Sequence, residues 1–239
     1  VHGTIGLASA LPAISKNVAI DGRSAPTYVN GGPPVVEIDA QAHAGLQFAP
    51  GSDSSQLLAL AVDNAGGNGV TLNASSITLN LNFIGLDLSG AALGNHGDGV
   101  FVSGTSSSNR IGLNPSGASG VVANVISANT GNGLRLLGSS SNTIVANRIG
   151  TNRAGTAAVA NGGDGISLTG GSNSNVLGGP AFVDHATGQA NNPTGSKGTV
   201  TPVFVVPPLG NLVSGNAANG IAIASSSQSN VLNGNFVGT

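Results

Sequence analysis

Glu37 and Asp39, in the run VVEID, are the most closely spaced carboxylates of this chain, two residues apart. In a strand, that spacing turns both side chains to one face. Two carboxylates so placed suit the acid–base pair of a glycoside hydrolase or the oxygen ligands of a calcium ion. They also suit a solvated face, or a bond to a nearby turn. A second set, Asp184, His185 and Lys197, falls in a proline-rich stretch near 180–208. It supplies a carboxylate, an imidazole and an amine, the groups a polysaccharide lyase or hydrolase needs. Asp98 and Asp164 each precede a glycine where other repeats carry Asn68, Asn132 and Asn219. A position that accepts Asn or Asp reads as a turn residue. His2, His43, His96 and His185 show no metal-ligand spacing, and there is no nucleophile elbow, phosphate loop or HExxH motif. No cofactor is expected, and calcium is the one ion that the carboxylates bring into question.

The elements that must position these groups come from a repeated phrase: NGVTL (68–72), DGVFV (98–102), NGLRL (132–136), DGISL (164–168) and NGIAI (219–223). Successive motif glycines are 30, 34, 32 and 55 residues apart, from Gly69 through Gly99, Gly133 and Gly165 to Gly220. Units opened by Asn-Gly run on to LNLNFIG, IVANRIG or LNGNFVG; those opened by Asp-Gly close on NVIS or NLVS. The full period is therefore two units, 64 residues from Gly69 to Gly133. Inside each unit, short apolar segments alternate with period two and none holds helical periodicity. Fixed-period repeats of short strands make a solenoid. The expected fold is all-β, a single-stranded right-handed parallel β-helix forming one domain over 1–239. Residues 1–67 read as degenerate early coils, and 68–239 as regular coils with an inserted loop near 180–208.

Asn recurs at the turns, where it tolerates left-handed backbone, and stacked amides can bond from coil to coil. Asn82, Asn147 and Asn235 align as one ladder, and Asn124 with Asn211 as another. Phe83 and Phe236, at the outward position of Asn-x-Ile/Val, and Phe101, outward on the first strand, are candidate contact points for a neighbouring molecule.

Charged residues make up 7% of the chain and aromatic residues 3%, while 39% are hydrophobic. The alternation of those apolar residues argues for a packed core rather than disorder. A net charge of −2 with no basic patch leaves nucleic acid a poor partner. No apolar stretch is long enough to span a membrane. Cys is absent, which removes disulfides and thiolate metal sites. The chain opens on Val1, contains no Met, and its last unit stops at FVGT. The expectation is an exported chain that belongs to a longer polypeptide or stacks end to end on other copies of itself.

VAIDGRSAPTYV followed by PVVEIDA, then NRIGTNRAGTAAVANGGDGI and GNLVSGNAANGI, resemble the right-handed β-helix repeats of large secreted and surface-anchored bacterial proteins. That group is similar to the pectate-lyase-like superfamily. The resemblance covers almost the whole chain apart from the insert and parts of 40–66. It implies an extracellular or cell-surface location and carries over no catalytic residues. The expected function is a structural or adhesive β-solenoid, a segment of a large surface protein or a subunit of an extracellular filament. It would act through end-on or lateral contacts with further repeats or other copies. The alternative is a polysaccharide-active enzyme of the same fold, using Glu37 and Asp39 or the insert residues.

Overall fold

The computed structural model describes residues 3–112, 124–179, 210–224 and 226–238. These residues form a parallel β-helix of three sheets, with eight, six and seven strands. The first sheet stacks Gly3–Gly6, Val36–Asp39, Ala61–Asp63, Phe83–Ile84, Val125–Ile126, Arg148–Ile149, Leu212–Val213 and Phe236–Val237. The second runs from Leu46–Phe48 through Val70–Leu72, Val100–Ser103, Leu134–Leu137 and Ile166–Thr169 to Ile221–Ile223. The third runs from Ala19–Asp21 and Gln56–Leu58 through Thr78–Asn80, Arg110–Gly112, Thr143–Val145 and Val176–Gly178 to Val231–Asn233. Every pairing between strands of these sheets is parallel, and it joins equivalent segments of successive coils.

Register follows the repeated phrase. Val70, Val100, Leu134, Ile166 and Ile221 stand in one column. Leu57, Leu79, Ile111, Ile144, Leu177 and Leu232 make a second, and Ile38, Val62, Ile84, Ile126, Ile149, Val213 and Val237 a third. These columns fill the lumen as one apolar core that reaches from Leu7 to Val213. Leu46 pairs with Val70, so AGLQF at 44–48 is a sixth, degenerate copy of the phrase.

The motif glycine is required by space rather than by backbone sign. A Cβ at Gly133 would fall 2.5 Å from Ile149 Cγ2 and 2.7 Å from Gly165 O, and none of the motif glycines has a positive φ. Left-handed backbone falls elsewhere than expected, on the residue before many of the ladder asparagines. Leu81, Ala146 and Gly234 precede Asn82, Asn147 and Asn235; Ser108, Ser141, Ser174 and Ser229 precede another row. The asparagine itself turns inward and caps the bend.

The two-unit period has a physical basis. Gly85 and Gly150, with φ of +91° and +84°, send the chain into hairpin-like excursions bridged at Leu86–Ala92 and Thr151–Ala158. Asp87 Oδ1 and Asn152 Oδ1 accept backbone N–H groups inside the two excursions. Around the first of them, Ala61, Phe83, Leu86 and Val125 pack as a second apolar cluster outside the lumen, with Leu88 and Val159 against it. Alternate coils thus carry a cover for the outer face of the first sheet.

Candidate functional site: a carboxylate stack on the first sheet

Val36 and Ile38 point into the lumen, so Glu37 and Asp39 share the outer face of their strand, as alternation dictates. The next coil adds a third carboxylate. Asp63 pairs in register with Asp39, and Ala61 with Glu37. On the other side Thr4 pairs with Glu37, and its hydroxyl donates to Glu37 Oε2 at 2.5 Å. Asp39 Oδ1 accepts from Gln41 N at 2.9 Å and from Asn64 Nδ2 at 2.8 Å.

Asp63 is fully buried and Glu37 is 5% exposed. No N–H or O–H of the fold reaches either carboxylate oxygen of Asp63. Its pKa is pushed up to about 8, first by burial and then by the negative charge of Glu37, with Asp39 and Asp87 adding smaller repulsions. A carboxyl held protonated beside a second carboxyl is the pattern of an acid–base pair. These two are buried, however, whereas a glycosidase acid must reach the oxygen between two sugars. Among the described residues, no group of three or more His, Asp or Glu side chains could hold a metal ion.

Sequence reasoning missed Asp63 because the early coils lack the Asn/Asp-Gly phrase that fixes register. The signal available was AVD at 61–63, an alternating segment with Val62 inward. Asp184, His185 and Lys197 lie outside the described residues.

The ladder asparagines are brought together differently from the two sets read in the sequence. Asn82, Asn124, Asn147, Asn211 and Asn235 form one continuous ladder, each Nδ2 donating to the next Oδ1 at 2.8–3.0 Å. The two sets interleave because the amide bonds neighbouring coils, not alternate ones. Two further inward ladders were not anticipated. Asn95, Asn129, Asn161 and Asn216 make one; Asn142, Asn175 and Asn230 make the other, which Asn109 joins through its backbone N–H, donating to Asn142 Oδ1. Their signals were an Asn three residues before each motif Asn or Asp, and the Asn ending each Ser-rich run. Asp98 and Asp164 sit in an outer row, accepting from Asn132 Nδ2 and Asn219 Nδ2, each at 2.8 Å, so both act as turn acceptors.

The three candidate contact aromatics separate. Phe83 points outward, yet it is 4% exposed within the second apolar cluster, so it offers no surface to a neighbour. Phe101 is half-buried under the Arg135 guanidinium, 5.7 Å from the ring centre. Phe236 is 52% exposed. At the N-terminal end a cavity of about 300 Å³ is lined by apolar residues including Ile5, Ile20, Val36, Ile38 and Leu60. No helix among the described residues is long and apolar enough to cross a membrane.

Compared with family models, curated proteins and solved structures, the chain matches none.

Proposed function

We propose that this protein is a structural or adhesive β-solenoid of the extracellular space or cell surface, of the kind found in large bacterial surface proteins. Its similarity to pectate-lyase-like repeats belongs to the same reading. The observation that carries it is the continuity of the stacked columns up to the last coil. There Ile223, Leu232 and Val237, in register with lumen residues, are 40%, 46% and 47% exposed. Strand edges of this kind can pair with a further β-coil, and that end-on contact is the one this reading requires. Continuous ladders would carry load along the axis.

The test is light scattering of the purified chain across concentration, with electron microscopy of the native material. Growth along the axis with concentration, abolished by Leu232→Asp, is the expected result. A concentration-independent monomer that turns over a polysaccharide would sink the reading.

The protonated Asp63 beside Glu37 favours a second reading, a polysaccharide lyase or hydrolase, in which the pair becomes accessible when the cover moves. Turnover of a polysaccharide that survives both Glu37→Gln and Asp63→Asn would remove these residues from it.

A further inference from the structure

The carboxylate stack supports an inference that does not depend on how the protein assembles. Asp63 has no donor for either oxygen, and Glu37, on the same outer face of the adjacent strand, is a second buried carboxyl beside it. Two carboxylates cannot bond each other unless one carries a proton, and burial strongly disfavours a bare, unpartnered charge. Among the described residues the ion pairs are Arg23–Asp21 and Arg135–Asp98, so no cation neutralises this pair.

We propose that Asp63 and Glu37 share a single proton, and that the proton-bridged pair is a pH-operated latch holding the N-terminal coils and the 86–93 excursion together. The placement is apt. Glu37 and Asp63 lie on adjacent strands of two coils, and Thr4 ties Glu37 to the strand before. Asn64, the residue after Asp63, donates its N–H to Leu93 O at the foot of the excursion. Every titratable group acting on Asp63 is acidic. Glu37 and Asp39 come from the neighbouring strand, and Asp87 from the excursion. The strand on the far side contributes Phe83, which bears no charge. Asp87 is held below the usual carboxylate range: burial opposes its ionisation, and hydrogen bonds from Ser89, Ala91 and Gly90 outweigh that opposition. Loss of the shared proton therefore adds a negative charge to a site where every charge is negative, and both the strand contact and the excursion lose their fastening.

The sign follows from linkage. The folded protein keeps the Asp63 proton up to about pH 8, while the unfolded chain releases it near 3.8. The latch's stabilisation is complete below the unfolded value and is lost as pH rises towards the folded one. Across that window the unfolding equilibrium constant rises by up to about tenfold per pH unit.

The experiment is urea unfolding of the full chain between about pH 5 and about pH 9, comparing wild type with Asp63→Asn, whose amide donates to Glu37 without a titratable proton. The expected result is a steep loss of stability with pH in the wild type and a flatter profile in the variant, which is the more stable protein at pH 8. Proteolysis within 86–93 should also appear in the wild type above about pH 8, where the proton is lost. Parallel pH profiles for the two proteins would overturn the proposal. Should Asp63→Asn fail to fold, infrared spectroscopy of the wild type decides. A protonated-carboxyl band present at neutral pH and lost above about pH 8 supports the latch, and its absence at neutral pH overturns it.

Discussion

Asn147 donates to Ile111 O and to Asn211 Oδ1, both at 2.9 Å, and accepts from Asn124 Nδ2 at 2.8 Å. One fully buried amide thus joins three successive coils. An apolar residue of the same size would fill the space and leave these neighbours unpaired. Asn147→Ala strands an N–H of Asn124 and should cost about 1–3 kcal/mol, read as a shift in the urea midpoint. An unchanged midpoint would mean that water takes the amide's place at no cost. At this scale the sequence was partly legible. Asn82, Asn147 and Asn235 stood out because one phrase encloses them. Asn95 and Asn109 did not, because their companions sit in runs of Asn and Ser where composition hides position.

Between residue and molecule stand the excursions. Each begins at a glycine with positive φ, and at both glycines a Cβ would strike the next coil, Ser127 O beside Gly85 and Ser214 O beside Gly150. The first folds back over the sheet, so the side chain that alternation turns outward at Phe83 is buried by Leu86 rather than offered to a partner. Phe83→Ala should therefore act on folding, not on contacts between molecules. A loss of about 3–5 kcal/mol is expected, together with faster proteolytic cleavage within 86–93. A variant that kept full stability and lost only an intermolecular contact would restore Phe83 to the surface. Alternation told inside from outside along each strand. It could not tell which outside faces a later loop would cover, because the cover is a tertiary contact.

Taken as a whole, the molecule rests on stacked apolar columns, amide ladders and parallel backbone pairing, with few charges. Of the two ion pairs among the described residues, Arg23–Asp21 is largely exposed and Arg135–Asp98 is 4.0 Å apart. Exposed pairs contribute little and are screened by salt. Near pH 5, where the Asp63 proton is in place, the thermal midpoint should move by no more than a few degrees between about 0.05 and 1 M sodium chloride. A large drop would point to an electrostatic contribution that the geometry does not contain.

The coil is legible in the residues alone: where strands fall, which side chains face the lumen, and that one unit stacks on the next. These are properties of local alternation and of a phrase repeated at a near-constant spacing. What the coils bring side by side depends on contacts between them. It merged two asparagine sets into one ladder, because amides bond across adjacent coils and the sequence alternates over pairs. It also set Asp63 against Glu37, because register in the early coils is fixed by the packing of Ile38 on Val62 and by no motif. That juxtaposition of two buried acids is what holds a proton on Asp63 up to about pH 8.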